Sequence, residues 1–506
     1  MGATVIAKLL GMLRGVLQAN FYGTTPEANA FTAASKLPLT FFDLLLAAAV
    51  LGCFIPVYNS FHDGRDDAEA EREADRFASV FLCFIILLCG LLALLGIIFA
   101  EPLVGLITRE LDDATFTLAV TLTRIMFPLV IFAGAAYTLV GVLQSKGSFI
   151  APAMISAISN AGVVLYLAVL NEPLGDKGIY GLAAAYMLSW LIQLLTLIVP
   201  LIRKGFRFSL LLDFKNPALI KALKMAPPIM AGSWLAPAGT LLGQYFAAKV
   251  SAAGAIAGAT TVFDYANNVY IIIAGTLTYS ICNYTFPKIS RLAVSGDENE
   301  YADTVRNGLT SALFIVIPFM AAAMVLAGEG VSILYMRGAF TAEDAWHTAS
   351  ALRAILPAMP MFCVTELFSR VFYSKNQVRI PMYAAIAGIL ANASVGALLT
   401  GIGVLGIGAV GIANAAGQIV SAIVLLCFAA KRIPGLLDRR LAKNIIKLLI
   451  GGILVFGICL VMSRVVSSEP YASPFITNAV KACVIFLPSA GAYLIYTKLC
   501  RVGFGA

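Results

Sequence analysis

Residues 74–99 read ADRFASVFLCFIILLCGLLALLGIIF. After Arg76 no charged side chain occurs for more than twenty residues, and about 20 apolar residues suffice to cross a bilayer as a helix. In hydrocarbon the backbone must satisfy its own N–H and C=O groups, which leaves only helices and closed barrels. The run lacks the apolar–polar alternation of a barrel strand, so it reads as a transmembrane helix.

The rest of the chain repeats this pattern. Of 506 residues, 60% are hydrophobic and 12% charged, and the mean hydropathy is +0.90. A soluble domain carries about 45–50% apolar and about 25% charged residues, so polar surface is too scarce here for a soluble enzyme. The apolar runs predict an all-α polytopic membrane protein with fourteen helices, at 3–22, 28–59, 74–99, 115–144, 150–171, 178–202, 218–250, 258–290, 303–327, 344–374, 380–401, 406–431, 441–464 and 474–499. Pro227, Pro228, Pro237 and Pro360 mark expected kinks in the longer ones. Met1 leads almost directly into the first helix, with no basic stretch or cleavage pattern of a secretory signal.

Net charge is +8. Nucleic-acid binding would require a clustered basic face, whereas here the cations occupy short loops. One alternate set of loops carries nineteen Lys or Arg, including Arg65, Arg72, Arg76, Lys146, Arg203–Lys215, Lys375, Lys431–Lys443 and Arg501. The other set carries six: Arg109, Lys177, Lys249, Arg337, Arg464 and Lys481. The positive-inside rule then places both termini in the cytoplasm. The nine cysteines lie mostly within apolar runs and lack metal-ligand spacing, so they read as small core residues.

The chain also repeats itself. Arg124-Ile-Met-Phe-Pro128 recurs as Arg353-Ala-Ile-Leu-Pro357, and Ser145-Lys146 as Ser374-Lys375, both at an offset of 229. Gly178-Ile-Tyr-Gly181 recurs as Gly408-Ala-Val-Gly411 at 230. A constant offset predicts two parallel six-helix lobes, 1–205 and 217–432, joined by a cytoplasmic linker at 206–216 and followed by two further helices at 433–506.

Ionisable residues within spans are costly and point to function. At about 100° per residue, Lys8, Gly11, Arg14, Gly15 and Gln18 share one arc of about 120° on the first helix, and Lys36 adds a cation on the second. Such a stripe suits an anionic substrate, with arginine able to grip phosphate through its fork. Asp43 and Asp264 are candidate ion-pair or coupling residues, and Glu366 with Arg370 forms an expected intrahelical pair. Asn267, Asn268 and Tyr265 offer neutral hydrogen bonds at the corresponding place in the second half. No phosphate-binding GxxxxGK[ST] loop exists, and His62 and His347, the only histidines, have no evident nucleophile or metal partner. The expectation is no catalytic residue, no metal site and no cofactor.

These residues resemble the MurJ/MviN lipid II flippase family, within the multidrug/oligosaccharidyl-lipid/polysaccharide exporter superfamily. The strongest likeness is 334–344, LYMRGAFTAED, similar to the family's LFxRGxFTxxD stretch. Leu10-Gly11-x-x-Arg14, Phe21-Tyr-Gly23, Ala30-Phe31, Lys36-Leu-Pro38, Phe54-Ile-Pro56 and Phe372-Tyr-Ser-Lys375 add to it. The resemblance implies a bacterial cytoplasmic-membrane protein of peptidoglycan biosynthesis. It would carry an undecaprenyl-pyrophosphate-linked glycan-peptide between leaflets by alternating access, in contact with the bilayer and with cell-wall synthesis proteins, driven by membrane potential or an ion gradient. The last two helices would then form a groove for the lipid tail. By position, the family's first-helix cations fall on Lys8 and Arg14 and its second-helix lysine on Lys36. Three positions depart from it: the second-helix arginine falls at Phe42, the eighth-helix arginine at Asn268, and the acidic position before Ala30 at Asn29. The rival readings are a flippase for another polyprenyl-linked oligosaccharide, a cation-coupled small-molecule antiporter with an acidic cavity, and a non-transporting scaffold.

Overall fold

A computed structural model describes residues 2–62, 68–108, 111–254, 256, 258–295, 298–375, 377–402, 406–466 and 469–500. Arg65, Arg109 and Arg501 of the loop-charge pattern lie outside these residues. Regular structure among the described residues is helical, with no strand among them, and the chain divides into two units, 1–248 and 249–506.

The first unit holds α1 (Gly2–Tyr22), α2 (Pro26–Phe42), α3 (Ala48–Asn59), α4 (Ala68–Ile98), α5 (Ala100–Thr108), α6 (Asp113–Met126), α7 (Leu129–Ser145), α8 (Ile150–Val169), α9 (Gly178–Arg203), α10 (Pro217–Ser233) and most of α11 (Leu235–Ala252). The second holds α12 (Ala259–Ser295), α13 (Glu298–Val325), α14 (Ala327–Tyr335), α15 (Ala342–Ile355), α16 (Met359–Ser374), α17 (Arg379–Ile402), α18 (Ile407–Arg432), α19 (Arg439–Val465) and α20 (Phe475–Leu499).

Among the described residues, eleven helical segments are long and apolar enough to cross a membrane. The stretches at 2–22, 26–59 and 217–252 are outside that set, so a count of fourteen spans is not carried by length and composition alone. Two of the three are broken. A π-helical turn, Asp43–Ala47, separates α2 from α3, five residues after Pro38 removes a backbone donor. At Trp234 the chain passes from α10 to α11, and the Trp234 indole donates to the Leu44 carbonyl at 2.8 Å. Two nine-residue helices, α5 and α14, were not anticipated. They start at 100 and 327, close to the repeat offset, and are too short to span.

The repeat has a structural meaning. Arg124 closes α6 and Pro128 precedes α7, just as Arg353 closes α15 and Pro357 opens the 3-10 turn before α16. Each motif therefore marks a helix–break–helix joint. Lys146 and Lys375 are the C-cap residues of α7 and α16. Lys146 pairs with Glu71 and, at 3.0 Å, with Asp75 at the start of α4. Lys375 pairs at 2.9 Å with Glu298 in the first turn of α13. The repeat boundary at 205–217 and the packing boundary at 248 differ because α10 packs on α3, where Gly52 leaves room for Ile229.

Of the four repeated glycines, three meet close neighbours. An ideal Cβ on Gly178 would stand 3.0 Å from the Tyr22 hydroxyl, one on Gly181 would strike the Tyr166 hydroxyl, and one on Gly411 would lie 2.5 Å from Ala354 Cβ and 3.0 Å from the Ala351 carbonyl. Gly408 has nothing within 4 Å. Gly411→Ala should cost about 1–3 kcal/mol through overpacking between α18 and α15, because backbone blocks relaxation. Gly408→Ala should be neutral or slightly stabilising, since alanine is the better helix former. Thermal unfolding of the two purified variants checks this, and equal losses would refute it.

The last two helices belong firmly to the second unit. Tyr493 donates to the Phe314 carbonyl at 2.8 Å, Gly452 admits Ile317, and Lys481 of α20 meets Glu329 of α14 at 3.0 Å.

Candidate functional site

In the first unit the candidate residues are positioned by how α1 is held. Asn160 of α8 donates to the Ala7 carbonyl at 3.4 Å, and the same amide stands 3.2 Å from where a Gly11 Cβ would be. Ala19 is wholly buried, and the Tyr22 hydroxyl donates to Asn171 Oδ1 at 2.5 Å. Small residues thus seat α1 on α8, as membrane helices do in the absence of a hydrophobic drive, and Gly11 faces α8.

Arg14 is half-buried, with its guanidinium carbon 5.5 Å above the Tyr186 ring of α9. That ring is braced edge-on by Phe31 of α2, centroids 6.0 Å apart at 87°. A cation over an aromatic face gains about 0.5–2 kcal/mol and leaves guanidinium N–H donors for a ligand. Lys8 is exposed, Gln18 is half-buried, and Lys36, five residues beyond Phe31 on α2, is half-buried. Asp43 is exposed at the head of the π-helical turn. Tyr186, Phe31 and Asn160 were not foreseen. A sequence signal existed only for Phe31, within the family stretch, since the Arg14–Tyr186 approach depends on how α1 and α9 pack.

The departures from the family pattern have visible consequences. Phe42 is 1% exposed and stacks obliquely on Tyr137 at 5.6 Å. In this chain that position belongs to the core. In the second unit Asn268 donates to Asp264 Oδ2 at 3.1 Å, one turn apart on α12. Asn267 is half-buried and Asn29 buried.

Tyr265 is enclosed by Tyr335 at 4.7 Å and Phe340 at 5.5 Å. Both rings come from the 334–344 stretch, so that motif is first a structural device. Gly338 turns the chain at φ +57°, and Thr341 with Asp344 forms a reciprocal capping box that starts α15. Arg337 of the same stretch lies over the Phe475 ring at 5.9 Å. Glu366 and Arg370 approach to 4.0 Å, and Arg370 also donates to Asn283 at 2.7 Å. His62 meets Glu71 at 3.2 Å, and His347 lies 3.7 Å from Glu343.

The polar clusters therefore fall into two sets. In the first unit Lys8, Arg14, Gln18 and Lys36 lie on α1 and α2, with Tyr186 and Phe31 beneath Arg14. In the second, Asp264 and Asn268 share a face of α12.

A multi-pass helical bundle that carries cations inside its apolar helices is built as a membrane transporter. Solved structures share this fold. A lipid II flippase MurJ in an inward closed conformation superposes with a TM-score of 0.79 over 99% of both chains at 21% identity. An inward-facing multidrug resistance MATE transporter gives 0.69 over 85% of this chain and 95% of its own, at 16% identity. The sequence profile of the family described as "Lipid II flippase MurJ" matches residues 18–479, and the chain belongs to that family. Two relatives, both described as probable lipid II flippase MurJ, come from Bdellovibrio bacteriovorus and Rhizobium meliloti. The first is 25% identical, covering 89% of this chain and 84% of its own length, and the second 26% identical, covering 78% and 72%. The family is one of transporters and not of catalysts.

Proposed function

We propose that this protein moves lipid II, a polyprenyl-pyrophosphate-linked peptidoglycan precursor, from the inner to the outer leaflet of the bacterial cytoplasmic membrane by alternating access. The family match across 18–479 carries the proposal. Lys8, Arg14, Gln18 and Lys36 of the first half would bind the pyrophosphate, and Asn268 is a separate candidate for contact with the cargo in the second half. Arginine supplies paired donors for phosphate oxygens, and the lysines supply compact positive charge. Asp43 and Asp264 are the acidic groups available for coupling, and membrane potential or an ion gradient is the energy source. The repeat halves 1–205 and 217–432 would be the moving lobes, and the loop charges support a cytoplasmic position for both termini. Cell-wall synthesis proteins are the expected neighbours.

One observation favours a second reading. Phe42 is buried core and Asn268 is neutral, so two positions that are cationic in the family carry no charge here. A cargo with a less demanding anionic group, another polyprenyl-linked oligosaccharide, would tolerate this. Depleting the protein in cells that depend on it, then measuring lipid II in each leaflet, separates the two. Loss of outer-leaflet lipid II supports the first reading. An unchanged outer-leaflet pool, with another polyprenyl-linked glycan held inside, supports the second.

A further inference from the structure

The segment joining α9 to α10, residues 204–216, lies along α4 in a defined register. The Arg207 amide donates to Asp75 Oδ2 at 3.2 Å, the Ser209 amide donates to Ser79 Oγ at 3.1 Å, and the Phe214 ring meets Phe84 edge-on at 6.3 Å. The two stretches advance together, 207, 209 and 214 against 75, 79 and 84. At 1.5 Å per helical residue the segment therefore descends about 13 Å along α4. Over that distance α4 changes character. Glu71, Arg72, Glu73, Asp75 and Arg76 precede it, and Phe77 opens the uncharged run.

The side chains of the segment divide into an inner and an outer set. Phe206 and Leu211 pack against the core of the first unit. Phe208, Leu210, Leu212 and Phe214 point outward, 51%, 79%, 59% and 55% exposed. Arg203, Lys204, Arg207 and Lys215 flank them, all exposed. A loop surrounded by water gains nothing from four outward-facing large apolar side chains. At a bilayer boundary they bury about 25 cal/mol per Å² of apolar surface, while basic neighbours meet anionic headgroups. A backbone outside helix or sheet cannot go deeper, because its open N–H and C=O groups need water or headgroup partners.

We infer that residues 206–214 form a strap embedded at the headgroup–acyl boundary of the leaflet that the charged end of α4 faces. Its outer apolar edge lies in lipid, and its basic flanks rest on anionic phospholipid headgroups. The linker is then an anchor fixed to α4 and not a free tether, and this holds whatever cargo is carried.

The test uses the full-length protein in phosphatidylcholine–phosphatidylglycerol vesicles, with Leu210→Trp compared against the parent, whose own tryptophans are Trp190, Trp234 and Trp346. Lys215→Trp serves as a second reporter position, so that misfolding of one variant does not decide the outcome. The added emission should be blue-shifted, and phosphatidylglycerol brominated near the headgroup end of its chains should quench it by more than half. The same bromine on phosphatidylcholine should quench less, and aqueous iodide little. Strong iodide quenching without bromolipid quenching would overturn the strap. So would protection from both quenchers, which would point to a protein covering the segment. Equal quenching by both bromolipids would overturn the headgroup preference.

Discussion

Arg14→Ala should abolish growth of cells that rely on this protein while its level in the membrane stays at the parental value. Arg14 sits in an apolar helix where an uncompensated charge costs several kcal/mol, and its packing partner is a neutral ring, Tyr186. Removing it therefore leaves no buried counter-charge behind, and the fold loses only a cation–π contact of about 0.5–2 kcal/mol. For the proposed ligand the loss is larger. Hydrogen bonds to a charged group are worth about 1.5–3 kcal/mol each, so losing a two-pronged contact weakens pyrophosphate binding at least tenfold. Arg14→Lys should fall between, since it keeps the charge and loses the fork. The readout is complementation alongside membrane abundance for both variants. A fully active Arg14→Ala protein would remove Arg14 from the binding role.

The second large effect falls on stability. Lys481 and Glu329 are 5% and 6% exposed at their side chains and stand 3.0 Å apart. They tie α20 to α14 beside Gly328, whose missing Cβ admits the Tyr471 hydroxyl at 2.9 Å. Burial also pushes the Tyr471 phenol above its usual range, which keeps it neutral. Removing one partner of such a pair leaves a buried charge uncompensated and costs about 3–5 kcal/mol. Lys481→Met should accordingly lower the unfolding temperature of the purified protein by many degrees. Glu329→Gln combined with Lys481→Met should recover most of the loss, because no charge is then stranded. Single and double variants that unfold alike would show that the pair does not hold α20 in place.

Much of the architecture was legible because the bilayer restricts it so strongly. Uncharged runs without apolar–polar alternation, such as 77–99, read as helices, and the 229-residue offset paired Arg124–Pro128 with Arg353–Pro357. The stretches 115–144 and 344–374 were each expected as one helix, however, and the breaks at Phe127 and Leu356 were not. Elements that depend on a single residue's effect on backbone geometry were harder to read. The π-helical turn at Asp43–Ala47 follows Pro38, yet the proline alone does not say that α2 and α3 separate there. The short helices α5 and α14 were hidden because hydropathy reports burial in apolar surroundings and not length across them.

The candidate site divides in the same way. Periodicity put Lys8, Arg14 and Gln18 on one face, but it also put Gly11 there, and Gly11 proves to be a seat for Asn160. A helical wheel gives direction without neighbours, so it could not name Tyr186 as the surface beneath Arg14. Lys481 was read as a loop cation setting orientation. Its place within an apolar helix was the signal for a buried partner, and Glu329 is that partner. The 334–344 stretch carried the family likeness, and its residues form a turn, a ring cluster around Tyr265 and a helix cap.

The most direct test of the central proposal is translocation by the purified protein. Vesicles loaded with fluorescent lipid II in one leaflet, carrying either this protein or its Arg14→Ala variant, are given an external reagent that reacts only with exposed lipid II. The proposal predicts that the parent protein brings the protected pool to the reagent, faster under an imposed membrane potential or ion gradient, and that the variant does not. Equal and slow exposure in parent, variant and protein-free vesicles would contradict it.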